Sequence, residues 1–195
     1  MTDRTIRERL PPIPDDKLTP AQKKAVKALL SGSRRSVRGA FVPMLRSPSL
    51  AEKVQRLEQY LRYRSVIPRK LRELAILATA RHWQQGYEWH EHARLASTVG
   101  LSDQVIDTLA LDWDGAGLPS DEQTVLQFCR ELHRSHAVSD SAYKQAKLLL
   151  GEDGVVELCG ICGHYALLAM VMNVARTPAA EGALVPFSHP EAKTA

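Results

Sequence analysis

The sequence predicts a single all-α domain, and three observations predict it. Apolar residues recur at spacings of three and four, the mark of helices with one buried face. The segments that show this period open on helix-start residues: Thr19–Pro20, Pro48–Ser49, Pro68, Ser102, Ser120 and Ser139. No two segments pair as neighbouring strands would, by alternating apolar and polar residues. The chain of 195 residues is long enough for one domain with a real core.

The elements follow in order. Residues 1–18 hold Pro11, Pro12 and Pro14 with little periodicity, and read as an extended arm. Thr19 caps the first helix and Pro20 takes its first position, where no N–H is needed. That helix carries Ala25, Val26, Leu29 and Leu30, and SGSRRSVRG over 31–39 is a loop. The next helix starts at Pro48–Ser49, with Leu50, Val54, Leu57 and Leu61 on one face. Pro68 opens a helix that is apolar on nearly every side from Leu71 to Ala80, which marks it as central. Gly86 interrupts the pattern. A helix then runs from about Tyr87 to Val99, with Gly100 at its C-cap. Ser102 caps a short helix through Val105, Ile106 and Leu109, and 112–119 is a Gly/Pro loop. Ser120 caps a helix through Val125, Phe128 and Leu132. Ser139 caps one through Tyr143, Ala146 and Leu150, which Gly151 closes. The last helix runs from near Asp153 to about Ala175 and is stopped by Pro178. The expected organisation is therefore an arm (1–18), one domain of about eight helices (19–177), and a loop-like tail (178–195).

Composition excludes several classes. Hydrophobic residues at 44% and charged residues at 25% rule out wholesale disorder and a coiled-coil rod. Basic residues number 26 against 22 acidic, so charge is mixed and the net is only +4. The densest basic cluster, Arg34, Arg35 and Arg38, has no interleaved aromatics, which argues against nucleic acid. A mild positive field suits a small anionic organic substrate. No apolar run approaches the roughly 20 residues of a membrane helix. The charged start, MTDRTIRERLPPIP, has no apolar signal region, so the expected location is the cytoplasm, away from membranes.

The segment EWHEHARLASTV carries the clearest chemistry. On a helix Glu88, His92, Leu95, Ala96 and Val99 share a face, so a carboxylate and an imidazole lie in line with an apolar stripe. Buried together, they must pair with each other or with another polar group. Such a pair holds a proton near neutral pH, as a general acid or base does, or simply ties two helices together. His90 lies about 200° round the helix from His92, so H-x-H is not a ready metal clamp. Glu73, among Leu71, Leu74, Ile76 and Leu77, is a second candidate acid, or a carboxylate that merely stabilises its helix N-terminus. Partial burial would suit it to hold a proton.

The three cysteines are Cys129, Cys159 and Cys162, an odd count that argues against a disulfide framework. Cys159-x-x-Cys162 falls inside an apolar helix between small residues. It reads as two buried core residues, or alternatively as a redox pair. With no second C-x-x-C, no metal site is expected. His164 follows Cys162 by two and could approach the Glu88–His92 face from a neighbouring helix.

LRELAILATARHW followed by YEWHEHARLASTVGLSDQVIDTL resembles the carboxymuconolactone decarboxylase family, which includes the alkylhydroperoxidase D-like proteins. The resemblance extends over roughly 38–175. It implies an all-α fold built on a helical hairpin, assembled as a homotrimer or homohexamer with sites near subunit boundaries. It implies a cofactor-independent enzyme: a decarboxylase acting on a small anionic lactone or related aromatic ring-cleavage acid. His92 would transfer the proton, Glu88 would orient it, and Glu73 would be a second acid or base. Trp89 completes the E-W-x-x-H string. His90 stands where lactone decarboxylases usually place Arg, so Arg81 or Arg72 would hold the substrate carboxylate, with His90, Trp89 and His164 beside it. In the family's peroxidase branch a C-x-x-C lies between Glu and His, and here those positions are Gln85 and Glu88. A thiol peroxidase would have to use Cys159 and Cys162 instead. A non-catalytic oligomeric binding protein is the remaining alternative.

Overall fold

The computed structural model describes residues 7–31, 35–111, 117–179, 182–183 and 185–187. They form helices and loops, with no strand among the described residues. The helices are α1 (Pro20–Leu30), α2 (Phe41–Met44), α3 (Pro48–Tyr63), α4 (Arg69–His82), α5 (Gly86–Thr98), α6 (Asp103–Leu111), α7 (Ser120–Ser135) and α8 (Asp140–Ala175). Eight α-helices agree with the expected number, but the division differs. The short α2 lies in AFVPMLR, where the apolar period is too brief to read. The two helices expected on either side of Gly151 are both present, joined end to end within the span labelled α8. Gly151 sits at φ 76 and ψ 175, outside the helical region, so α8 is two helical segments meeting at a residue only glycine adopts easily.

Start signals are met in most places. The Thr19 side chain accepts from the Gln22 N–H, and the Gln22 side chain accepts from the Thr19 N–H, a reciprocal cap. Ser139 accepts from the Ala142 N–H. Ser120 is a correction: it is the first helical residue, and Pro119 precedes it as a cap without a side-chain bond.

The core is organised by α4. Every residue from Glu73 to Ala80 is buried, because α5, α7 and α8 all pack against this helix. The turn from α4 to α5 is pinned to α8. The buried Gln85 amide donates to Asn173 Oδ1 at 2.9 Å, Asn173 Nδ2 donates to the Trp83 carbonyl at 2.9 Å, and the Tyr87 N–H returns to Gln85 Oε1. These bonds satisfy polar groups that close packing has removed from water. Position 85 therefore holds a structural amide.

The N-terminal arm lies on its own chain. The Arg9 N–H donates to the Ala175 carbonyl at 2.8 Å, and Arg46 donates to the carbonyls of Leu10 and Pro11. A short 3-10 turn, Asp15–Lys17, lies within the stretch read as extended. The tail also returns to the fold. The Phe187 ring stands edge-on to Trp89, with centroids 5.8 Å apart, and the Arg81 guanidinium lies over the same ring, 5.5 Å from its centroid.

One window of α8 reaches a mean hydropathy of 1.8, so by length and composition this helix could span a membrane. That corrects the reading that no apolar run is long enough. Part of its apolar surface is buried, at Leu158, Ile161, Cys162, Leu168, Ala169 and Met172, while Val156, Met170 and Val174 are exposed. That is the pattern of a core helix.

Candidate active site

The site is built where α4 and α5 lie side by side. Glu73 is in the second turn of α4, Glu88 in the first turn of α5, and His92 one turn further along α5. The three side chains are buried and meet. His92 Nδ1 lies 2.7 Å from Glu73 Oε2, and His92 Nε2 lies 3.3 Å from Glu88 Oε2. Spacing pointed to the pair Glu88–His92, but the shorter bond is the one across helices, to Glu73. Burial alone would push the imidazole towards its neutral form. The hydrogen bonds and charges of the two glutamates outweigh that and raise its pKa to about 9. The shift favours the protonated ring at neutral pH, seated between Glu73 and Glu88.

A cleft of about 70 Å³ opens onto this group. Glu88 and His92 line it, together with Glu58 and Arg62 of α3 and Tyr165 of α8. Glu73 does not: it lies behind, against a small void of about 10 Å³ shared with Arg62, Arg72 and Tyr165. The Tyr165 ring stands edge-on to His92, with centroids 5.0 Å apart. Its hydroxyl is buried without a hydrogen-bond partner. Arg62 Nη1 is 3.3 Å from Glu58 Oε1, and its side chain keeps 29% of its surface exposed. At the rim Arg38 pairs with Glu91 at 3.2 Å. The cleft mouth also fixes Gly39, whose φ is 58. A Cβ there would sit 2.6 Å from the Tyr87 ring.

The other residues singled out from sequence lie elsewhere. Arg81 is two turns beyond Glu73 on α4 and lies on Phe187, and the buried Trp89 meets the same ring. Neither lines the cleft, and nor does the half-buried His90, which projects from another side of α5. Arg72 donates to the Leu61 carbonyl at 3.2 Å behind Glu73. His164 is buried, and desolvation lowers its pKa. Both its ring nitrogens lack partners, and it stands edge-on to Tyr165. It is the next residue, about 100° round the helix, that reaches His92. Among the described residues no group of three His, Cys, Asp or Glu side chains is placed to hold a metal, so Glu88, His92 and His164 do not form one. Of the basic cluster, Arg34 lies outside the described residues, and Arg38 is at the cleft rim.

Cys159 and Cys162 are not two buried core residues. Cys162 is buried and Cys159 is exposed on the outer side of α8. Residues three apart on a helix need not share an environment when only one face of the helix is covered.

Residues 48–125 match the model of the carboxymuconolactone decarboxylase family. This segment is where the chain is similar to that family. It holds Glu73, Glu88 and His92, whereas Tyr165 lies outside it. Two solved structures share the fold. One is described as an alkylhydroperoxidase AhpD core, an uncharacterized peroxidase-related protein from Ralstonia eutropha JMP134. It is 16% identical with a TM-score of 0.73, over 92% of this chain and 96% of that one. The other is a protein of unknown function from Agrobacterium tumefaciens whose description carries the name of the antioxidant defence protein AhpD. It is 15% identical with a TM-score of 0.61, over 70% of this chain and 94% of that one. At such identities the likeness is one of fold. No curated protein matches the chain significantly. Helices α4 and α5, on which the buried Glu–His–Glu group is mounted, both lie within the matched segment.

Proposed function

We propose that the protein is a cofactor-independent decarboxylase of the carboxymuconolactone decarboxylase type, acting on a small anionic lactone or a related ring-cleavage acid. The observation that carries this reading is the His92 ring held between two buried glutamates at the wall of a cleft that also presents Arg62. Loss of CO₂ from such a lactone leaves its electron pair in a conjugated dienolate. A carbon of that dienolate must then take a proton. His92 Nε2, on the cleft side, delivers it. Glu73, behind the ring, holds Nδ1–H and fixes the imidazole's orientation, the role the resemblance had given to Glu88. Glu88 faces the cleft beside Nε2 and helps return a proton from water to the imidazole after each turnover. The direct test is a spectrophotometric assay with γ-carboxymuconolactone; folded protein that leaves it untouched would remove this lactone as the substrate.

Arg62 is the group we assign to the substrate carboxylate, in place of Arg81. A guanidinium binds a carboxylate through two parallel N–H bonds, worth about 1.5–3 kcal/mol when charge-assisted. Arg62→Gln is expected to raise KM by roughly 10- to 100-fold while changing kcat far less. Steady-state kinetics checks this, and an unchanged KM would return the role to another cation.

A thiol peroxidase is the second reading, favoured by the descriptions of the two similar structures. Against it, Gln85 is committed to structural bonds and Glu88 to His92, so neither position between Glu73 and His92 supplies a thiol. We also propose that the protein is a homotrimer or homohexamer. Val156, Met170 and Val174 are exposed along the outer side of α8, at 70%, 42% and 63%. Light scattering is expected to give a mass of three or six chains, and Val174→Glu should shift it towards one.

A further inference from the structure

The third cysteine changes the meaning of the other two. Cys129 of α7 and Cys162 of α8 lie 33 residues apart in sequence, yet their sulfurs are 3.5 Å apart. Both are buried, while Cys159, the other half of C-x-x-C, points outward. The pair is bordered by His133, one turn after Cys129 on α7. His133 Nε2 lies 3.0 Å from the Thr79 hydroxyl, and both groups reach the Cys162 thiol. His133 is only half-buried and stacks on the exposed His82, with centroids 4.8 Å apart and the rings 15° from parallel. It thus links the sulfurs to the surface.

These contacts make the two thiols unlike. The contact with Cys129 and the neighbouring His133 favour a thiolate at Cys162 despite its burial. The contact with Cys162 and desolvation push Cys129 up. One sulfur is set to attack and the other to stay protonated until needed.

We infer that Cys129 and Cys162 are an oxidation site: a dithiol that a small hydroperoxide converts, once and reversibly, into a disulfide joining α7 to α8. The Cys162 thiolate attacks one peroxide oxygen, the O–O bond breaks, and the departing hydroxide takes the proton relayed through His133. Cys162 is then a sulfenic acid. The Cys129 sulfur attacks the Cys162 sulfur, the S–O bond breaks, and the Cys129 proton leaves with the hydroxyl as water. With hydrogen peroxide the sum is two thiols and one peroxide giving one disulfide and two waters. To reach bonding distance, about 2.05 Å, the sulfurs need approach by only about 1.5 Å. Cys162 is one turn from Tyr165, whose ring lies against His92, so the disulfide would form beside the candidate active site without using its residues. The inference does not depend on what that site does.

The experiment treats the folded full-length protein with a few equivalents of hydrogen peroxide, alkylates the remaining thiols, and maps peptides by mass spectrometry. The expected result is loss of two of the three alkylatable thiols, a cross-linked peptide pair joining Cys129 to Cys162, and full recovery with dithiothreitol. Cys159→Ser should leave the cross-link intact, and Cys162→Ser should abolish it. Oxidation confined to Cys159, a cross-link through Cys159, or three unreacted thiols would each overturn the inference. The wild-type map decides the matter even if Cys162→Ser fails to fold.

Discussion

Replacing His92 by alanine is expected to lower turnover of an accepted lactone by about 10²- to 10⁴-fold, the usual worth of a positioned general acid. The loss should fall on kcat, because the imidazolium acts when a proton moves to carbon and not when substrate docks. The substitution also leaves Glu73 and Glu88 buried without their shared cation, which costs stability. His92→Gln is therefore the companion variant: it keeps a hydrogen-bond donor between the carboxylates but cannot protonate a carbon. Both variants should be inactive, with His92→Gln the more stable in thermal melts. The pH profile supplies an independent readout. An acid with a pKa of about 9 stays charged through neutral pH, so wild-type rate should fall as pH rises through that value. Retention of wild-type kcat in His92→Gln would take His92 out of the mechanism.

Glu88, His92 and Glu73 were legible in the sequence for a physical reason. Each interrupts an apolar stripe, and a polar group in such a place must find a partner. Which partner was less legible. Glu88 and His92 share a helix, so their spacing shows the contact. Glu73 reaches His92 only because α4 and α5 fold back on one another, and only the structure shows that its bond is the tighter one. The rest of the cleft carried no local signal. Arg62 reads as an ordinary basic residue in the last turn of α3, and Glu58 as its helix-surface neighbour four residues earlier. Tyr165 reads as one apolar position among many on α8. His164 drew attention by residue type, while the contact belongs to the residue beside it. Arg81 looked close to the site because it is close in sequence. Eight residues along a helix is about 12 Å, which carries it to the tail end of α4. The cysteines teach the same lesson. C-x-x-C drew attention to Cys159, while packing gives Cys162 a partner on another helix that no spacing rule reaches.

The buried Glu–His–Glu group also sets how the protein's stability depends on pH. His92 has a folded pKa near 9 against an ordinary value of 6.5, so the folded state binds its proton more tightly than the unfolded chain does. The stabilisation is therefore fully present below pH 6.5 and is lost as pH rises through 9. At 1.36 kcal/mol per pH unit its size is roughly 3 kcal/mol. Denaturant melts of the wild type are expected to show that decline between pH 6.5 and 9. Glu73→Gln removes the tighter of the two carboxylates, so the proton is no longer held against the cost of burial. This variant should be less stable than the wild type by about 3 kcal/mol at pH 6, in the range found for breaking a buried pair. Above pH 9 the wild-type imidazole is neutral too, and the difference between the two proteins should close. A gap that stayed constant across the whole range would mean that Glu73 contributes packing alone, and that His92 is not held as a cation in the folded state.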